Sequence, residues 1–108
     1  MSDGRDFVVV IALSGKIMGG PEAGEINDQI NNLIDKGKTK IIIDLENVEW
    51  MNSSGLGILI GAITTLKNNN GKLVLINVSD RIENLLKITK LSSVFDIKKD
   101  LEAAKSAL

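Results

Sequence analysis

Three short runs of this chain are apolar at nearly every position: Phe7-Val8-Val9-Val10-Ile11-Ala12-Leu13, the Ile41-Ile42-Ile43 core of residues 40–45, and Leu73-Val74-Leu75-Ile76 within residues 72–77. A β-branched run without polar alternation reads as a strand buried on both faces, and such strands belong to parallel sheets covered by helices. The first run is therefore expected as a central strand ending at Ser14-Gly15. The intervening segments supply the helices. After the Gly19-Gly20 break, Pro21 suits a first helical position, Ile26, Ile30, Leu33 and Ile34 recur with helical spacing, and Gly37 supplies a stop.

Residues 55–67 place Leu56, Leu59, Ile60, Ile63 and Leu66 on one broad apolar face and end in Asn68-Asn69-Asn70-Gly71. Ser79-Asp80 with Glu83 opens a third helix through Ile82, Leu85, Leu86 and Thr89. Val94-Phe95-Asp96-Ile97 reads as a brief fourth strand, and Asp100 opens a last helix through Leu101, Ala104 and Leu108. The predicted order is β-α-β-α-β-α-β-α, an α/β sheet with parallel pairs and right-handed crossovers. No linker or repeat divides it, so residues 1–108 are expected to form one domain.

Composition narrows the chemistry. The chain has no histidine and no cysteine, which removes Ser-His-Asp and Cys-His catalysis, thiol redox chemistry, disulfides and nearly all zinc sites. A lysine-activated serine would need hydrogen-bond reach, yet Lys67 belongs at the far end of the helix that follows the serines. With a net charge of −1 and lysines scattered among acids, no basic stripe marks a nucleic-acid surface. No apolar stretch approaches the ~20 residues of a membrane span, and Met1-Ser2-Asp3-Gly4-Arg5-Asp6 does not open a signal peptide. The expectation is a cytoplasmic protein without cofactor, metal, nucleic-acid partner or direct membrane insertion.

The segment carrying chemistry is Asn52-Ser53-Ser54-Gly55-Leu56-Gly57, between the second apolar run and the helix beginning near Gly55. A helix start offers unpaired N–H groups and the positive end of a dipole, so a serine there serves as a cap or carries a phosphate. Ser53 or Ser54 is expected to cap. Gly55 and Gly57 each weaken a first turn by roughly 0.5 to 1 kcal/mol relative to Ala, which calls for a close approach to the backbone. Gly57 and Gly61, spaced i and i+4, would let that face lie flat against the sheet or an external partner. The glycines do not make a dinucleotide fingerprint, since they do not directly follow a strand, and no Walker A loop occurs.

The pattern Ile41-Ile42-Ile43-Asp44-Leu45, Val48, Met51-Asn52-Ser53-Ser54-Gly55-Leu56-Gly57 and Ile58-Leu59-Ile60-Gly61 resembles the STAS domain of bacterial anti-sigma factor antagonists. The likeness continues through Gly71-Lys72-Leu73-Val74-Leu75 and Leu85-Leu86-Lys87-Ile88-Thr89-Lys90-Leu91, from about residue 7 onward. The resemblance implies a single STAS-like domain with a mixed β-sheet of four to five strands and about four helices. It also implies a non-enzymatic partner switch. The antagonist binds an anti-sigma factor that is also a serine kinase, releasing the sigma factor; phosphorylation of Ser53 ends the binding, and a phosphatase resets the switch. The implied partner-binding residues are Asn52, Ser53, Ser54, Gly55, Leu56, Gly57 and Met18.

Three positions depart from the family pattern. Asn52 stands where aspartate usually precedes the acceptor, keeping a hydrogen-bond acceptor without the charge. Met18 stands in the loop where the family often carries an acid near the acceptor. The usual first edge strand would lie at or before residues 1–4, which have little strand character, and leave the edge beside residues 7–13 open to pairing with another chain. The competing readings are a STAS scaffold subunit of a membrane-transport or signalling assembly, with Ser53 only a cap, and a small nucleotide-binding or hydrolysing protein, against which the missing phosphate loop argues.

Overall fold

The computed structural model describes residues 8–20 and 22–108. Strands and helices alternate in the order β1 (Val8–Ile17), α1 (Glu22–Asp35), β2 (Lys40–Met51), α2 (Ser53–Asn68), β3 (Lys72–Ile76), α3 (Asp80–Ile88), β4 (Asp96–Lys98) and α4 (Leu101–Ala107). That is the predicted order. The strands lie side by side as β1-β2-β3-β4, and every described pair is parallel. A strand of the other sense, as in a mixed sheet, would have to come from the further edge strand expected at or before residues 1–4. That position, like Pro21 and Phe7, falls outside the described residues.

Alternation along each strand divides the apolar side chains between two faces. Ile11, Ile41, Ile43, Leu73 and Leu75 join the large core under α1, α2 and α3, together with Ile30, Leu59, Leu66 and Leu86. Ile42, Val74 and Ile76 face the other way, onto Ala104 of α4. From β1, Val8 packs at the rim of this smaller cluster. The reading of residues 7–13 as a central strand buried on both faces therefore needs correction. Among the described strands β1 pairs with β2 alone, and although Ile11, Leu13 and Ile17 are buried, Val10 is 44% exposed.

Two further expectations change at the ends of these strands. β1 does not stop at Ser14-Gly15, and β2 does not stop at Leu45; they stay paired as far as Ile17 and Met51. The register shifts twice, between Ala12 and Ser14 and between Gly15 and Lys16, with β2 carrying the extra residue each time. Such insertions bend and twist a strand pair, and Gly15 takes a φ of 74° beside the second one. The extra residue explains why Val48 and Met51, three apart, both point into the core. It also hides this strand from a search for period-two alternation.

The helix caps follow the sequence in two cases and depart from it in one. Ser79 Oγ accepts from Ile82 N at 3.3 Å, and Asp100 Oδ1 accepts from Ala103 N at 2.9 Å. For α2 the cap is Asn52, not Ser53 or Ser54. Its backbone is extended, its Oδ1 accepts from Gly55 N at 2.8 Å, and its carbonyl accepts from Leu56 N at 2.9 Å. Asparagine caps as well as serine does, and filling the cap position leaves both serines inside the first helical turn.

Gly55 is buried, and a Cβ built on it would collide with the carbonyl oxygen of Ile17 at the end of β1. Gly57 has open space, and Gly61 meets only the Asn27 side chain of α1 at 3.9 Å. The glycines are therefore not one flat packing face: Gly55 is required by the sheet, and Gly57 is not. Replacing Gly55 by Ala should destabilise the domain by about 2 kcal/mol or more, an overpacking against backbone. Asn52→Ala should cost about 1 kcal/mol, whereas Asn52→Asp should hold the cap. Urea midpoints of the three variants measure both effects; an unperturbed Gly55→Ala protein would contradict the close approach.

Candidate partner-binding site

β2 delivers its last residue, Met51, into the core and hands the chain directly to Asn52 and α2, so the start of α2 lies at the carboxyl ends of the strands. In open α/β sheets this edge, where strands give way to helix N-termini, is where ligands and partners are met. Three contacts hold it in place. Asn52 N donates to Ile17 O at 3.4 Å, beside the Gly55 approach to the same carbonyl. The loop after β1 lies over the second serine, since a Cβ on Gly19 would stand 2.7 Å from Ser54 Cβ. One strand further on, Asp44 Oδ1 accepts from Glu46 N at 2.9 Å and from Asn77 Nδ2 at 3.0 Å, tying the middle of β2 to the residue that follows β3.

Ser53, Ser54 and Gly57 are exposed, Asn52 is half-buried, and Met18 is 46% exposed in the loop that crosses Ser54. Gly55 and Leu56 point inward, Leu56 to 1% exposure. Of the residues expected to touch a partner, these two serve the site by seating the helix. Ser53 is thus the first residue of a 16-residue helix whose first turn contains no acidic side chain. Its hydroxyl sits in the positive field of the helix terminus with no carboxylate in that turn to oppose an added negative charge.

Ser53 also lines a cleft of about 310 Å³ with Trp50, Arg81, Leu85 and Ile88. Its walls are almost wholly apolar, and the guanidinium of Arg81, its one charged lining residue, lies over the Trp50 ring at 5.5 Å from its centroid. Among the described residues four large hydrophobic side chains are exposed: Val10, Met18, Trp50 and Ile88. Three of them gather at this end, with Trp50 and Ile88 lining the cleft of Ser53 and Met18 in the loop over Ser54. An exposed apolar cluster beside polar groups is the usual mark of a protein-binding surface. Sequence reasoning missed Trp50, Arg81, Leu85 and Ile88 because three of them lie on α3. The one available signal was the Ile88 side chain, which falls off the apolar face of its helix and is 78% exposed.

A larger cleft, of about 360 Å³, lies at the other end of α2 between Lys67, Lys72, Phe95 and Asp96. It adjoins the amino end of β3, away from the serines. No group of three or more His, Cys, Asp or Glu side chains placed to hold a metal ion occurs among the described residues, and no described helix is long and apolar enough to cross a membrane.

The STAS domain family matches this chain over residues 2–104. An anti-sigma-B factor antagonist of Staphylococcus aureus is 33% identical to it over 78 residues, 72% of each chain. Among solved structures, the anti-sigma factor antagonist SpoIIAA in its unphosphorylated form is similar at a TM-score of 0.70 and 26% identity, across 94% of this chain and 86% of that one. The phosphorylated form of the Bacillus cell fate determinant SpoIIAA is similar at 0.71 and 27% identity, across 96% and 93%. The helices and parallel strands that present Ser53 are thus those of a known fold, and the chain belongs to the STAS-domain family of anti-sigma factor antagonists.

Proposed function

We propose that this protein is a cytoplasmic, non-enzymatic anti-sigma factor antagonist, that residues 1–108 act as one STAS domain, and that phosphorylation of Ser53 switches it off. The observation that carries this reading is an exposed serine at the start of α2, bordered by exposed Met18, Trp50 and Ile88. In the unmodified state that surface binds an anti-sigma factor with serine kinase activity and frees the sigma factor. Ser53 Oγ then bonds to the γ-phosphorus of ATP as the bond from that phosphorus to the β–γ bridging oxygen breaks; ADP leaves and the hydroxyl proton is given up. A phosphatase returns the hydroxyl. SpoIIAA, known in phosphorylated and unphosphorylated forms, lends support by family relationship.

The energetics favour release over unfolding. A phosphate adds about −1.5 to −2 charges at neutral pH, and a helix N-terminus favours a negative group by about 0.3 to 1 kcal/mol when exposed. Inside a docked interface the same charge must be desolvated or meet like charge, at a cost of several kcal/mol. Gly57 fits the same picture. It is exposed, has open space and satisfies no internal packing need, so its missing side chain is explained by a neighbour outside the chain.

Phospho-Ser53 protein should bind the anti-sigma factor at least about tenfold more weakly than the unmodified protein, with little change in urea midpoint. Ser53→Ala should bind and resist release. Calorimetric titration on the same samples decides it, and equal affinity of the two forms would reject the switch. Gly57→Ala should raise the stability by about 0.5 to 1 kcal/mol through helix propensity while weakening partner binding. A variant that gains stability and keeps full affinity would place the partner elsewhere. The pure protein with ATP and magnesium should show neither steady hydrolysis nor autophosphorylation; turnover by the pure chain would refute the non-enzymatic reading.

A further inference from the structure

The cleft beside Ser53 holds one charged side chain, that of Arg81. Arg81 stands in the first turn of α3, where the helix field disfavours a cation, so its position asks for another reason. Its guanidinium rests on the Trp50 ring, and the ion pairs among the described residues, Lys87 with Glu83 and Lys98 with Asp96, leave it out. A cation on an exposed aromatic face is held weakly, whereas a guanidinium and a phosphate form short, charge-assisted, bidentate hydrogen bonds. Ser53 and Arg81 line the same space, which contains no competing carboxylate.

We propose, taking Ser53 as the phosphoacceptor as in the reading above, that Arg81 is the residue through which the domain senses its own phosphorylation. With Ser53 unmodified, the guanidinium covers Trp50 and forms part of the wall of the apolar cleft. With Ser53 phosphorylated, it swings to the phosphate oxygens and leaves the ring. Modification then reshapes the partner surface as well as charging it. The other charged groups on the neighbouring elements are Lys16 of β1, Lys40, Asp44, Glu46 and Glu49 of β2, Lys67 of α2, and Asp80, Glu83 and Lys87 of α3; none lines the cleft, and Glu83 is paired with Lys87 at 3.6 Å. Lys16 is the cation to be told apart from Arg81, because it stands opposite Trp50 in the strand register.

The test uses the full chain with phosphoserine incorporated at position 53 during translation, so neither kinase nor partner is required. A phosphoserine loses its second proton near pH 6, and phosphorus NMR across that range should place this ionisation lower with Arg81 present than in Arg81→Ala, by about half a pH unit or more. Arg81→Lys should recover part of the difference, and Lys16→Ala should leave it in place. The helix terminus acts on every variant alike, so the difference isolates the side chain. Trp50 is the only tryptophan and the chain has no tyrosine, so intrinsic emission reports on this cleft alone. Emission should change on phosphorylation when Arg81 is present and not in Arg81→Ala or Arg81→Gln, all with native urea midpoints. A phosphate ionisation that Arg81→Ala leaves unmoved, or that Lys16→Ala moves instead, overturns the proposal. A phosphate that pairs with Arg81 while anti-sigma affinity stays unchanged supports the pair and refutes the partner switch, so the two readings fail separately.

Discussion

The start of α2 meets the end of β1 at Gly55, and the arrangement of the site depends on that contact. With no Cβ in the way, the helix backbone comes against the Ile17 carbonyl, which also receives the Asn52 N–H. Any side chain at position 55 would push the first turn outward, carrying Ser53 with it and loosening Leu56 from the core. The Asn52 cap and the Gly19 loop over Ser54 hold the same turn from its other sides. The serine is therefore presented by a helix terminus and not by a loop, a setting in which the proposed added charge would leave the fold in place.

The surface around that terminus is built against ordinary economy. Trp50 and Ile88 both remain accessible, and the Arg81 guanidinium lies over the indole. Exposed apolar area of this kind is unfavourable for the free protein and becomes favourable on docking, when it leaves water. Beside it stands a serine at a helix start, in a turn free of acids. In the proposed switch the two terms would respond to different variables: apolar burial to shape, and charge to modification.

Element order was legible because it rests on local properties. Apolar runs at residues 41–43 and 73–76, helical spacing at Ile26, Ile30 and Leu33, and the Ser79 and Asp100 caps each act within a few residues, and each appears where those residues place it. The second half of β2 was not legible, because register shifts against β1 break the alternation that would reveal a strand. The cap of α2 was misassigned for a related reason: Asn52, Ser53 and Ser54 are all good caps, and which one is extended depends on where β2 ends.

Sequence by itself determined the fold class, the family and the position of Ser53 at a helix start, since periodicity and a contiguous motif are properties of neighbouring residues. Only the tertiary structure decided which motif residues face outward. It turned Gly55 and Leu56 into the core and left Ser53 and Gly57 open. It also brought Trp50 from β2 and Arg81, Leu85 and Ile88 from α3 into one cleft with Ser53. Those residues are separated by about one strand and one helix of chain, and no local propensity carries information across that distance; the parallel pairing of β2 and β3 and the return of α3 over the sheet bring them together.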